Sequence, residues 1–264
     1  MSGGMFSVRR NGALASAAAI ACLVVSGGCP LTPGPGGTGT TIPFGTSSIR
    51  PIQAGDSSTY NYSRIFANNS KFQGTMTEQV SSFSSATLGQ GLTVTRTFAY
   101  DTFAPNGTKE SSVTRTEAMS LVPVGSSTAV TDLVEVNNNG TVAQVVTPAS
   151  GAVLPFYNGT LQTGQIYSYP YTLSDGTVVT ATSSVLGPET ITVPYGTVAT
   201  LKVTSSELND APTGKTTFSR TAWRHPVLGV IKRVADIVDT PTGGNPNTSQ
   251  ETIELVSTNI AVGP

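Results

Sequence analysis

"LTVTRTFAY", residues 92–100, decides how the rest of the chain is read. Leu92, Val94, Arg96, Phe98 and Tyr100 fall in one row, with Thr93, Thr95, Thr97 and Ala99 in the other. A period of two sends alternate side chains to opposite faces, which marks a strand with one covered face. The alternation recurs along the chain. Tyr60, Tyr62, Arg64 and Phe66 form one row; Tyr167, Tyr169, Tyr171 and Leu173 form another; Ala199, Leu201 and Val203 a third. Between Val113 and Val122, the row of Val113, Met119 and Leu121 also holds Arg115 and Glu117. Asn106-Gly107, Asn139-Gly140, Asn158-Gly159 and Asp175-Gly176 punctuate these runs and tolerate the positive φ of tight hairpin turns. Loops this short join antiparallel strands, because parallel ones need a long crossover.

Composition agrees with strands. Charged residues are 11% of the 264, and long Ser/Thr/Val-rich tracts with few Lys, Glu and Leu disfavour helices. The longest largely apolar, uncharged run is Ala13 to Gly28, so a multi-helix membrane bundle is excluded.

That run has the order of a signal peptide over residues 1–28. Arg9 and Arg10 give the positive region, "ALASAAAIACLVV" the apolar region, and "SGGC" a small-residue end. Ser26, Gly27, Gly28 and Cys29 resemble the lipobox of bacterial lipoproteins, in which the chain is cut before the Cys and the thiol is lipidated. The aliphatic residue usual three places before the Cys is displaced to Val25, and "AIAC" ending at Cys22 is a second candidate. Residues 29–50 begin with "CPLTPGPGGTGTT", which has no periodic apolar residue and the composition of a flexible tether between a lipid anchor and a domain. Cleavage before Cys29 also removes Cys22, so the mature chain has one thiol and no intrachain disulfide. Without Arg9 and Arg10 the 14 basic residues fall to 12 against 15 acidic, a net charge of −3. A weakly acidic domain has no electrostatic footprint for nucleic acid. Membrane attachment then rests on lipid at Cys29.

Residues 51–262 are expected to form one antiparallel β domain. "GDSSTYNY" from Gly55 and "GQIYSYPY" from Gly164 each place Tyr five and seven residues after the Gly. Duplication of a strand-hairpin unit and the ordinary frequency of aromatic strands after Gly both account for this. Val230 to Val238 carries apolar residues in both rows, as a strand covered on both faces does.

The last third carries a more specific pattern. Val193, Pro194, Gly196 and Thr197 form a turn, and Trp223, Pro226, Gly229, Val230 and Lys232 a Trp-ended strand and hairpin; Glu254 and Leu255 mark the closing strand. This resembles bacterial envelope proteins with a domain of unknown function of the DUF3108 type and, more distantly, LolA/LolB-like lipoprotein carriers. The resemblance implies a strongly curved antiparallel sheet, a half-open barrel around an apolar concavity, with Trp223 buried under the last hairpin or at the rim. A β-sandwich is the alternative. The family pattern supplies no catalytic residue.

Chemistry is sparse. His225, the one histidine, sits in "WRHPVLG" without a nucleophile elbow anywhere in the chain, which reads as a structural histidine. One His, one mature Cys and scattered acids make no metal site, and Asp236 with Asp239 lack further ligands. Glu78, Glu117, Asp132, Glu135 and Glu189 lie on or beside strands, with Arg115 placed to neutralise Glu117. No catalytic residue, cofactor or metal is therefore expected. The expectation is a lipid-anchored protein of the bacterial envelope whose β domain binds a lipid, a peptide, a glycan or an envelope protein. Pro30 after Cys29, in place of the Asp that retains lipoproteins at the inner membrane, points to the outer membrane. A structural or adhesive surface module is the alternative.

Overall fold

The computed structural model describes residues 41–43, 49–85, 89–124, 127–136, 142–146, 154–156 and 162–262. Within them the chain forms β1 (Ser57–Phe66), β2 (Lys71–Ser85), β3 (Gly89–Phe103), β4 (Lys109–Val124), β5 (Ser127–Val136), β6 (Val142–Val146) and β7 (Leu154–Phe156). The second half gives β8 (Ile166–Thr172), β9 (Val178–Val193), β10 (Gly196–Ala211), β11 (Gly214–His225), β12 (Gly229–Pro241) and β13 (Asn247–Thr258). No helix occurs among the described residues.

All the strands lie in one sheet, in the order β6-β5-β4-β3-β2-β1-β13-β12-β11-β10-β9-β8, with β7 beside β5. Every strand pairing is antiparallel. Two six-stranded meanders are thus joined back to back through β1 and β13. The sheet is strongly curved and does not close, as a half-open barrel requires. A β-sandwich would need two sheets, and one path carries all these strands.

Gly74 shows how the curvature is made. It lies in register between Tyr62 of β1 and Tyr100 of β3, in the middle of β2. A Cβ there would stand 2.1 Å from the Ala99 carbonyl oxygen. With no side chain on β2, the Tyr62 ring reaches over to Phe98 at 5.3 Å and to Tyr100 at 5.5 Å. A glycine in a strand interior is a recurrent device for bending a sheet.

The buried rows face inward. Tyr60, Tyr62, Met76 and Phe98 pack with Ile231, Ile253, Leu255 and Leu228 into the main apolar cluster. The β9–β10 turn folds over this end, where the Tyr195 N–H donates to the Leu255 carbonyl at 3.0 Å. β12 departs from the expectation of two covered faces. Gly229, Val230 and Ile231 are all buried, but beyond them Val234 is half-buried and Val238 exposed. Only the start of the strand lies under the folded-over turn, so only there are both faces dry.

The two Gly-Tyr stretches open their meanders in the same way. Gly55 and Gly164 both have positive φ, 97° and 85°. Their N–H groups donate to Val80 and Val185 at 2.8 Å, and the Asp56 and Gln165 side chains accept from the N–H three residues earlier. The turn and its side-chain bonding are thus repeated at the two stretches. The Gly-Thr pairs that follow the two stretches are not equivalent: Gly74 is mid-strand, Gly176 in the β8–β9 turn.

Part of the segment expected as tether touches the domain. Ile42 bridges in parallel to Val198, its N–H donating to the Thr197 carbonyl at 2.9 Å. Ile49 packs on Val185, Leu201 and Val203. Residues 29–40 lie outside the described residues.

Candidate functional site

Cys29, the expected lipidation site, lies outside the described residues. His225 is placed by β11 just before a tight turn and is buried to 1% exposure. Its Nδ1 accepts from the Val227 and Leu228 N–H groups at 3.1 and 3.2 Å. The proton therefore sits on Nε2, which donates to the Pro43 carbonyl at 2.9 Å. This is a structural histidine that caps a turn and ties residue 43 to it. Burial pulls its pKa below the ordinary imidazole value, with the Pro43 bond opposing. The unfolded chain then binds the proton more readily, so the contribution of His225 is complete above about pH 6.5 and is lost as pH falls below it. The stability advantage of wild type over His225→Gln, read from urea midpoints, should shrink between pH 8 and pH 5.5. A gap that widens on acidification would refute this.

Trp223 is neither under the last hairpin nor at the rim. It stands half-buried on the convex face, in register between Lys202 of β10 and Lys232 of β12. The two ammonium groups lie 5.4 and 5.9 Å from its ring centroid and pair with Glu189 at 3.2 Å and Glu254 at 2.6 Å. Its parity is opposite to that of Arg224 and Ala222, which is why a core position was the wrong expectation. Its emission should be quenched by iodide, and Trp223→Ala should cost clearly less than the roughly 3–5 kcal/mol of a core aromatic.

The remaining acids are engaged locally. Asp236 accepts from Gln250 at 2.8 Å and Asp239 from Thr216 at 3.0 Å. Among the described residues no group of His, Cys, Asp and Glu is disposed to hold a metal. The side chains of Asp132, Glu135, Tyr167, Tyr169 and Tyr171 lie outside the described set.

The concave face holds what the sequence did not assemble: a buried ionic band. Glu78, Arg96 and Glu117 form one row across β2, β3 and β4. Arg96 pairs with Glu78 at 2.8 Å, Arg115 with Glu117 at 2.7 Å, Arg220 with Glu207 at 2.8 Å, and Arg233 with Glu251. Curvature brings distant strands into one field. Burial raises the Glu117 pKa, against the Arg115 and Arg96 guanidiniums, while Glu251 of β13 adds to the rise and Arg233 of β12 opposes it. Burial also pushes Glu251 upward, but Arg233, with Arg64 and Arg115, outweighs it and holds that carboxyl below its ordinary value. The signal was present in the sequence. Arg64, Arg96, Arg115 and Glu117 all stand in otherwise apolar rows.

At the hairpin end of β2 and β3 is a depression of about 590 Å³, lined from both rows of those strands. Phe83, Leu92, Leu121 and Val122 give it apolar walls, and Ser82, Ser84 and Gln90 polar ones. Gly91 is required there, because a Cβ would stand 2.5 Å from the Leu121 carbonyl oxygen and 2.6 Å from the Phe83 ring.

No family model and no curated protein matches the chain. Two solved structures are similar over most of its length. One is a provisionally assigned lipoprotein from Parabacteroides distasonis ATCC 8503, with 14% identity and a TM-score of 0.33, covering 78% of this chain and 96% of that one. The other is a provisionally assigned exported protein with a YmcC-like fold from Bacteroides fragilis NCTC 9343, with 12% identity and a TM-score of 0.37, covering 81% and 99%.

Proposed function

We propose that this chain is a lipid-anchored protein of the bacterial cell envelope, held at the outer membrane through Cys29, whose β domain binds an apolar or extended partner and performs no chemistry. The depression bounded by Phe83, Leu92, Leu121 and Val122 carries this reading. Apolar walls with a few polar groups are the usual profile of a small-molecule or acyl-chain site. The signal-peptide order of residues 1–28 and the Gly/Pro composition after Cys29 supply the anchor.

Intact mass of the membrane fraction should show an acylated N-terminus at Cys29, and Cys29→Ser should give a soluble chain or an uncleaved precursor. A Cys29→Ser chain that is still processed and membrane-bound would remove the anchor from the reading. For binding, native mass spectrometry should find a co-purified apolar ligand that Phe83→Ser diminishes.

A second reading, a structural or adhesive surface module, is favoured by the convex face. There Thr93, Thr95 and Thr97 of β3 run beside Thr75 and Thr77 of β2 and Thr114 and Thr116 of β4, all half-buried or exposed. A ligand-free protein that adheres to envelope material through this face would put the second reading ahead.

A further inference from the structure

We infer that the convex surface around Trp223 is the face this domain lays on the bilayer. Ile166, Leu186 and Trp223 make the contact, and the partner is a zwitterionic lipid surface. The inference rests on the reading of Cys29 as the lipid anchor, and it adds which side of the domain the anchor draws to the membrane.

The point from which the anchor reaches is fixed on the sheet. The Ile42 N–H donates to the Thr197 carbonyl at 2.9 Å, and the Ile42 carbonyl accepts from the Ala199 N–H at 3.0 Å. The Pro43 carbonyl accepts from His225 Nε2 at 2.9 Å. Cys29 is twelve residues before Thr41. Even fully extended, that length of chain holds the anchor within about 40 Å of this root. Trp223 stands two residues before His225. Its neighbour in register, Lys202, is four residues past Val198, to which Ile42 bridges, or about 13 Å along β10.

The surface beside the root suits a lipid interface. Leu186 is the extra residue where the β9–β10 register shifts, opposite Lys202. It continues the convex row of Thr182 and Ser184 and is 53% exposed. Ile166 of β8, in register with Ser184, is 70% exposed. These are the two most exposed large apolar side chains among the described residues, and both gain by leaving water. Next across the sheet comes Trp223, half-buried, a ring type that settles at headgroup level. The stems of Lys202 and Lys232 flank it, so their ammonium groups can reach the headgroups while the ring lies lower. Charge selects the lipid. Glu189 and Glu254 match the two lysines, so the patch is neutral and an anionic surface gains no attraction from it.

The protein purified from membranes and placed in phosphatidylcholine–phosphatidylethanolamine vesicles tests this through its one tryptophan. With a nitroxide on the lipid headgroups, Trp223 should lose most of its emission. Iodide, which reaches Trp223 in the soluble Cys29→Ser chain, should be kept from it on the vesicles. Ile166→Ser with Leu186→Ser should weaken the nitroxide quenching and leave the urea midpoint unchanged, since both side chains are exposed. A chain with Trp223→Phe and Thr114→Trp moves the reporter along the same row to exposed Thr114, six strands away round the curved sheet. That reporter should be quenched far less. Equal quenching of the two reporters, or an unquenched Trp223 in a chain that floats with the vesicles, overturns the contact and leaves the anchor standing. A chain that carries no acyl group and does not float overturns both.

Discussion

Glu207→Gln should destabilise the domain by about 3–5 kcal/mol, because it leaves Arg220 charged inside the sheet without its carboxylate. The two side chains are 2% and 0% exposed and pair at 2.8 Å, with Phe218 beneath the guanidinium at 4.2 Å. A buried pair contributes little net stability beyond its desolvation cost, whereas half of it is a severe defect. Replacing both partners, Arg220→Met with Glu207→Leu, should therefore restore most of the loss. Lys215 and Asp210, at the exposed end of the same hairpin, pair at a similar 2.7 Å. Asp210→Asn should change stability by less than about 1 kcal/mol, since solvent screens that pair. Equilibrium urea unfolding of the three variants decides the matter. Equal losses at the two sites would mean that the concave face is wet.

Leu255→Ala should cost about 2–5 kcal/mol and Glu254→Ala less than about 1, although the two residues are neighbours. Leu255 is fully buried beside Tyr60, in the strand that joins the two meanders. Glu254 points to the convex face, where its bond to Lys232 is about a third exposed. The loss at Leu255 combines transfer of the side chain with the cavity it leaves. It should appear in the urea midpoint with an unchanged slope. A mild Leu255→Ala would show that β1 and β13 are not packed as one sheet.

Much of the fold was legible in single residues. The alternation at Leu92 to Tyr100 gave a strand, and Asn106-Gly107 and Asp175-Gly176 gave turns that the chain makes with φ near 84° and 85°. His225 was legible as structural because no partner set for catalysis surrounds it in the chain. The same evidence misplaced Trp223, because a large aromatic ending a strand suggests burial, and only parity relative to Arg224 and Ala222 reveals the convex face. Four of the charges in and beside the band, Arg64, Arg96, Arg115 and Glu117, stand in apolar rows of the sequence, yet only Arg115 beside Glu117 stood out there, as a local neutralisation. A charge in a core row is cheap if its row faces water, and costly if the sheet curls over it.

The sequence by itself determined the all-β class, the antiparallel hairpins and the two faces of most strands, because side-chain period and turn chemistry act over a few residues. The tertiary structure decided which strands meet and what they enclose. The β1–β13 junction joins residues about two hundred apart, and local propensity cannot encode that pairing. The bend at Gly74 and the approach of Glu117 to Arg233 depend on curvature accumulated over several strands, so the buried ionic band exists only once the whole sheet has formed.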